Sequence, residues 1–159
     1  MAQSVCFELM KGVPAAVVAL LVGVVAGLIA WRQYRVARAK LNLDLFEKRY
    51  EAFQIVWAFA SAVVQRGPLP FYSSDMTKML NELPKIEFLF GKKLAAYVRV
   101  LNANHASLWA IDEAIKTNNG VMPQDKIQEH TNLMKWFADE AMEGVRVRFG
   151  EYLDFEEWR

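Results

Sequence analysis

A run of apolar residues near the start of the chain restricts most strongly what this sequence can form. Residues 13–31 read VPAAVVALLVGVVAGLIAW and carry no charged side chain. As an α-helix, this run would cross roughly 28 Å of hydrocarbon. A cleaved signal peptide is the alternative, but no small-residue cleavage site precedes Trp31 and Arg32. The sequence therefore predicts one transmembrane helix over 13–31.

Basic residues follow the apolar run directly and predict its orientation. They are Arg32, Arg35, Arg38 and Lys40. Because such clusters stay in the cytoplasm, we expect a short extracytoplasmic N-terminus over 1–12 and a cytoplasmic domain over 32–159. The four basic side chains would also contact lipid headgroups. The only cysteine is Cys6. The predicted cytoplasmic domain therefore contains no cysteine, which suits a reducing compartment.

Small residues recur every fourth position within the predicted span. They are Ala15, Ala19, Gly23 and Gly27, and the last two form a GxxxG pair. Because lipid provides no hydrophobic force between helices, such a stripe lets two helix backbones approach closely and gain dispersion contacts. The stripe predicts self-association, although glycine and alanine are common in any transmembrane helix.

The segment after the span has neither glycine nor proline from residue 28 to 65, so we expect 32–65 to continue the transmembrane helix. Two apolar rows run along it. The first apolar row comprises Val36, Ala39, Leu43, Phe46, Tyr50, Phe53, Trp57, Ala60 and Val64. The second apolar row comprises Leu41, Leu45, Ala52, Val56, Phe59 and Val63. One helix cannot bury both rows alone, so partners are expected from the rest of the chain and from neighbouring copies.

The rest of the sequence predicts further helices and no strands. Gly67, Pro68 and Pro70 end the first helix. Three more helices are expected. The first covers 76–83, with Ser74 or Asp75 as cap, and Pro84 either ends it or starts the next element. The second covers 92–117, and the third runs from Pro123 or Gln124 to Phe149, with Ile127 facing inward and Gly150 ending it. No stretch alternates with a period of two. The predicted fold is all-α, with one transmembrane helix that continues into a cytoplasmic bundle of about four helices.

One polar cluster carries possible chemistry. Arg99 and His105 on the third helix resemble the motif of HEPN-type ribonucleases, in which histidine moves a proton and arginine stabilises phosphate charge. Asn102 lies one turn from Arg99 and could orient either group. The alternative is structural, because His105 continues the apolar spacing of Leu101 and Leu108 and would be a buried, hydrogen-bonded histidine. We favour the structural interpretation, with Arg99 paired to an acidic residue.

Three blocks of sequence carry a family resemblance: WRQYRVARAKLNLDLFEKRYEAFQ, IEFLFGKKLAAYV and WFADEAMEGVRVRFGEYLDF. They resemble small bacterial inner-membrane proteins with one N-terminal span and a helical cytoplasmic domain. With the Arg99 and His105 motif, the layout also resembles the HEPN-like membrane accessory protein of type VI-B CRISPR systems. That resemblance implies a ring-shaped pore, membrane depolarisation during phage infection, and a partnership with an RNA-guided nuclease.

The expected function is therefore that of a homo-oligomeric inner-membrane effector that permeabilises the membrane in antiphage defence. A narrow channel lined only by apolar side chains would dewet and close, so a conducting lumen requires many subunits. The alternatives are a membrane-anchored scaffold that binds another protein and a membrane-tethered HEPN-type ribonuclease acting on RNA. We expect no cofactor, no metal site and no small-molecule substrate, since the sequence has no matching motif.

Overall fold

The computed structural model describes residues 2–154, with side chains from residue 17 onward, and every regular element among them is helical. The chain divides into two compact units, Met1–Asp44 and Leu45–Arg159. The elements are α1 (Ala2–Arg66), α2 (Ser74–Phe90), α3 (Lys92–Thr117), a 3-10 turn (Gln124–Lys126), α4 (Ile127–Asp139), a π-helical turn (Glu140–Gly144) and α5 (Val145–Leu153). The predicted all-α class is confirmed for these residues.

Helix α1 is unbroken from Ala2 to Arg66, so most of the segment 1–12 is helical as well. It contains an 18-residue window with a mean hydropathy of 1.7, and none of that window is buried. The helix is thus long and apolar enough to span a membrane. It ends where Gly67 takes a φ of 79°, with the Gly67 N–H donating to the Val63 carbonyl at 3.0 Å.

The second apolar row supplies the core of the unit Leu45–Arg159. Val56, Phe59 and Val63 are all fully buried or nearly so, together with Ala52. The other helices contribute the remaining buried side chains: Met76, Met79, Ile86, Phe90, Leu94, Ala95, Val98, Leu101, Leu108, Phe137, Val145 and Phe149. In contrast, Tyr50 and Trp57 of the first apolar row are exposed. The bundle therefore covers the second row from Ala52 onward, and of the first row it buries Ala60 and part of Phe53.

Arg49 of α1 ties the ends of two other helices together in this unit. Its Nε donates to the Leu89 carbonyl at 3.1 Å, and its Nη1 donates to the Tyr152 carbonyl at 3.3 Å. Partial burial of the guanidinium lowers the pKa of Arg49. The carbonyls at helix ends lack partners within their own helices, so a multi-donor side chain can satisfy them here.

Two predicted features of α2 are wrong. The N-cap is Ser73, whose Oγ accepts a hydrogen bond from the Met76 N–H at 3.3 Å, and neither Ser74 nor Asp75 has this role. Pro84 does not end the helix, which continues to Phe90. The apolar spacing continues past Pro84, and both Ile86 and Phe90 are buried. We attribute the continuation to this burial, which offsets the cost of proline in a helix.

Helix α3 has the predicted bounds, and the last helical segment differs from the prediction in two places. Ile127 was expected to face inward but is 49% exposed, because it lies at the first position of α4. Gly150 was expected to end the helix but lies inside α5. Tyr152 and Leu153, which follow it, pack against the core and favour a continued helix.

Candidate functional site

His105 is fully buried in the middle of α3, as its apolar register predicts. Its Nε2 accepts a hydrogen bond from the Leu69 backbone N–H at 3.0 Å. The rings of Phe59 and Phe71 lie 5.2 and 5.7 Å from the imidazole. Burial lowers the pKa of His105, so the neutral imidazole is favoured. The side chain holds the segment between α1 and α2 against α3 and is closed off from solvent.

Arg99 and Asn102 do not join His105 in a common polar site. Arg99 Nη2 lies 2.6 Å from Glu87 Oε2, and the arginine side chain is 61% exposed. Asn102 Oδ1 and His105 Nδ1 are both buried without a hydrogen-bond partner among the described residues. The expected acidic partner of Arg99 is therefore Glu87.

The small-residue stripe of the span is open in the single chain. A Cβ added at Gly23 or Gly27 would meet nothing within 4 Å, and Ala19 is exposed. Ala15 belongs to this predicted stripe, but its side chain lies outside the described residues. Within the described part of the chain, no side chain lies against the helix surface at Gly23 and Gly27.

The four basic residues after the span are all exposed on α1. The guanidinium of Arg35 lies 5.2 Å from the ring centroid of Trp31, one helical turn earlier. Such a pair combines a cation with an amphipathic aromatic side chain, which is the combination found at the headgroup level of membranes. The geometry is compatible with the predicted contact of Arg32, Arg35, Arg38 and Lys40 with lipid headgroups.

A buried carboxylate that the sequence analysis did not identify lies between α3 and the last helical segment. Glu140 Oε2 accepts a hydrogen bond from the Tyr97 hydroxyl at 2.6 Å and pairs with Arg148 Nη1 at 2.7 Å. The Arg148 guanidinium also lies 4.3 Å from the centroid of the Tyr97 ring. Burial and the Glu140 carboxylate raise the pKa of Tyr97. Tyr97, Glu140 and Arg148 thus form one hydrogen-bonded cluster that connects α3 to the last helical segment.

A pocket of about 200 Å³ adjoins this cluster. Its lining residues are Lys93, Leu94, Tyr97, Arg148, Glu151 and Tyr152. The two cations are balanced by Glu151 and by the adjacent Glu140, so the pocket has no strong preference for the sign of a ligand charge. No group of three or more His, Cys, Asp or Glu side chains in the described part of the chain could hold a metal ion.

The π-helical turn contains both Glu140 and the glycine that leaves room for its carboxylate. A Cβ at Gly144 would lie 1.9 Å from Glu140 Oε2, so glycine leaves the space that the carboxylate fills. Within the turn, the Val145 N–H donates to the Glu140 carbonyl, five residues earlier. The Ala141 carbonyl therefore loses the partner it would have in an α-helix, and the Trp57 indole N–H donates to it at 2.8 Å.

An aromatic face on α1, exposed at some positions and half-buried at others, is a further candidate site. It consists of Phe46, Tyr50, Phe53, Trp57 and Val64, and we call it the α1 aromatic face. Tyr50, Trp57 and Val64 are 43%, 45% and 37% exposed. A shallow groove beside it is lined by Phe53, Trp57, Ala141, Met142 and Arg146, and Met142 is 80% exposed. Contiguous apolar surface with an aromatic anchor is typical of protein interaction sites.

Comparison with known proteins gives no relative: no family model, curated protein or solved structure matches this chain. Function is therefore inferred from the residues and their geometry. Of the sites described above, the sequence predicted the apolar spacing along α1 and the buried register of His105. It gave no signal for the Glu140 cluster, because Tyr97 and Glu140 are 43 positions apart.

Proposed function

We propose that the protein is a single-pass protein of the bacterial inner membrane that works as a homo-oligomer, with its helical domain in the cytoplasm. The observation that carries this proposal is α1, in which the apolar window is entirely unburied within the chain. Exposure of that much apolar surface to water is unfavourable, whereas a bilayer covers it. The basic cluster after the window supports the cytoplasmic location of the rest of the chain.

Two exposed features of α1 support self-association. The small-residue stripe in the span is open around Gly23 and Gly27, and close backbone approach is how helices associate in lipid. Beyond the span, Tyr50 and Trp57 of the α1 aromatic face are 43% and 45% exposed. A helix with unburied apolar surface in both segments favours assembly with further copies.

The activity that we propose for the oligomer is permeabilisation of the inner membrane as an effector in antiphage defence, together with an RNA-guided nuclease. The support is the resemblance of the sequence blocks described above. All described side chains from residue 17 to residue 31 are apolar, so a narrow channel would dewet. The conducting form is accordingly a wide ring of many subunits.

A membrane-anchored scaffold is the second candidate, and the α1 aromatic face favours it, because such a surface can bind another protein without any lumen.

A ribonuclease is less well supported. Its candidate proton carrier, His105, is fully buried, with Nε2 engaged by the Leu69 N–H. A general base must come within hydrogen-bond reach of its substrate.

Self-association is tested by light scattering on the full chain in detergent. Leucine at both Gly23 and Gly27 should reduce the oligomer mass, because the added side chains separate the backbones. Leucine at both Val18 and Val25 is the matched control, since these residues lie on other faces of the helix at 100° per residue. A wild-type protein that stays monomeric at every concentration would refute the proposal.

Permeabilisation is tested with the purified oligomer in liposomes that carry a potential-sensitive dye. We expect dissipation of an imposed potential by the wild type and a reduced effect for the double Gly23 and Gly27 variant. An assembled oligomer that leaves the potential intact would exclude the pore and favour the scaffold. RNA cleavage lost on His105→Ala in a protein that still folds and assembles would favour the ribonuclease instead.

A further inference from the structure

We propose that the segment 67–73 between α1 and α2, which we call the strap, opens away from α3 when the buried His105 takes up a proton at Nε2. Opening uncovers Leu69 while the helices of the bundle stay folded. The strap and His105 both lie in the unit Leu45–Arg159. This pH-sensitive device therefore works independently of how copies of the chain assemble in the membrane.

The hydrogen bond between Leu69 and His105 fastens the strap to α3. The Leu69 N–H donates to His105 Nε2 at 3.0 Å, and both residues are buried. Pro68 and Pro70 lie on either side of Leu69, and neither has a backbone N–H to donate. Because each proline also has a fixed φ, residues 68–70 are stiff and move as one piece.

A proton at Nε2 removes the acceptor of this hydrogen bond. Since Nε2 accepts in the closed form, the neutral imidazole of His105 carries its hydrogen on Nδ1. Protonation places a second N–H at Nε2, so that it faces the Leu69 N–H donor to donor. The closed strap would then hold an unpaired N–H and an imidazolium charge away from water, and opening relieves both costs.

The surroundings of the imidazole offer the positive charge no compensation. The rings of Phe59 on α1 and Phe71 in the strap face it at 5.2 and 5.7 Å. Burial lowers the pKa of His105, and no charged side chain of the described residues alters that pKa. Protonation is therefore unfavourable in the closed form and becomes favourable once water reaches the ring.

The charged residues that flank the strap and His105 in the sequence are already paired. Arg66 and Asp75, at the two ends of the strap, lie 3.1 Å apart. On α3 the pairs are Arg99 with Glu87 at 2.6 Å and Asp112 with Lys116 at 2.7 Å. These carboxylates are engaged with other cations, so His105 is the group whose titration acts on the strap.

The strap can open without unfolding a helix. Phe71 contacts the imidazole and is 40% exposed, and Tyr72 is 90% exposed, so the outer side of the strap already reaches solvent. Gly67 begins the strap with a φ of 79°, and glycine can rotate more freely than other residues. Leu69 is only 5% exposed. Its burial keeps the strap closed while His105 is neutral.

Amide hydrogen exchange on the full, isotope-labelled chain in detergent tests the strap. The Leu69 N–H reports on the strap, and the N–H of Val98, which is buried in α3, reports on unfolding of the bundle. We expect Leu69 to be at least about tenfold less protected than Val98 at every pH from about 7 to about 5. The protection of Leu69 should fall by up to about tenfold per pH unit below about pH 6.5, the ordinary pKa of a solvated histidine. Because opening exposes little surface, urea should change the protection of Leu69 less than that of Val98.

Two matched variants assign the pH dependence. His105→Gln keeps an acceptor for the Leu69 N–H but does not titrate in this range, so the protection of Leu69 should no longer change with pH. His130→Gln changes the other histidine and should retain the wild-type profile.

Three results would overturn the opening of the strap. They are equal protection and equal urea dependence of Leu69 and Val98 in the wild type, a Leu69 protection that does not change with pH, and a pH dependence that survives His105→Gln. The first would show that Leu69 exchanges only when the whole bundle unfolds. If His105→Gln fails to fold, the comparison of the two N–H groups in the wild type decides the outcome.

Discussion

Glu140 illustrates how one buried side chain depends on a neighbouring residue without a side chain. Its carboxylate is only 6% exposed and is satisfied by Tyr97 and Arg148. Desolvation of a carboxylate is costly unless strong hydrogen bonds replace water. The space for this arrangement exists because residue 144 is glycine.

Gly144→Ala should therefore displace the Glu140 carboxylate and weaken both of its contacts. We expect a loss of about 1–3 kcal/mol in the free energy of unfolding, typical of a buried polar group deprived of its partner. Urea unfolding of the full chain in detergent, followed by tryptophan fluorescence, measures this loss. Gly150→Ala is the control, because nothing lies within 4 Å of its added Cβ. Gly150→Ala should be neutral or stabilising by up to about 1 kcal/mol. Equal effects of the two substitutions would contradict the role of Gly144 in making space for the Glu140 carboxylate.

His105 makes stability depend on pH. Burial lowers its pKa in the folded state, whereas the unfolded chain has the ordinary value of about 6.5. Below that value, the unfolded state binds more protons, so stability is fully present above about pH 6.5 and falls as the pH is lowered.

His105→Gln should remove this part of the pH dependence, because an amide oxygen can still accept the Leu69 N–H but does not titrate in this range. Urea midpoints between about pH 5 and pH 7.5 measure the slope. His130→Gln changes the other histidine, which is only half-buried, and should leave most of the slope in place. A wild-type slope that survives His105→Gln would assign the dependence to other groups.

Among the helices, α2 shows how a local signal can be shifted by one residue. The sequence SSD offers three side chains that could cap the helix, at Ser73, Ser74 and Asp75. Ser73 has the extended backbone of an N-cap, with φ −66° and ψ 152°, and its Oγ accepts from the Met76 N–H. The loop that leads to Ser73 is itself held by the hydrogen bond from the Leu69 N–H to His105.

Ser73→Ala should reduce stability by about 1 kcal/mol, because one free N–H of the first turn loses its acceptor. Ser74→Ala is a matched control at the first helical position, where the hydroxyl is exposed and alanine favours the helix. The urea midpoint of Ser73→Ala should therefore be lower than that of Ser74→Ala. A larger loss from Ser74→Ala would show that the cap lies one residue later.

The last helical segment shows a second effect of packing on helix geometry. Residues 127–153 are helical throughout, yet Glu140–Gly144 takes the wider π-helical form. The wider turn leaves the Ala141 carbonyl free to accept from the Trp57 indole N–H, and Glu140 at its start accepts from the Tyr97 hydroxyl. This single wider turn therefore makes two contacts with distant helices, one with α1 through Trp57 and one with α3 through Tyr97.

For the complete chain, the proposed orientation can be tested with the native cysteine. A membrane-impermeant maleimide applied to intact cells with a permeabilised outer membrane should label Cys6, because the positive-inside rule places the N-terminus outside. Replacement of Arg32, Arg35, Arg38 and Lys40 by glutamine should reduce labelling, since the orientation signal is lost. Labelling only after disruption of the inner membrane would reverse the proposed topology.

Local patterns in the sequence determined the long apolar helix, its end at Gly67, the bounds of α3 and the buried register of His105. These features depend on consecutive residues, on periodicity along one helix, or on glycine in a left-handed turn. Such information is present in any short stretch of the chain.

Tertiary structure alone decided which apolar side chains of α1 are buried, why α2 passes through Pro84, and how the hydrogen bonds of Glu140 are satisfied. Each of these depends on contacts between residues far apart in the sequence, such as Tyr97 with Glu140 and Trp57 with Ala141. Both rows of α1 have helical spacing, so periodicity cannot distinguish the side chains that pack in the chain, such as Ala60, from those left exposed, such as Trp57. The burial of Ile86 and Phe90 likewise outweighs a local signal that, alone, ends a helix.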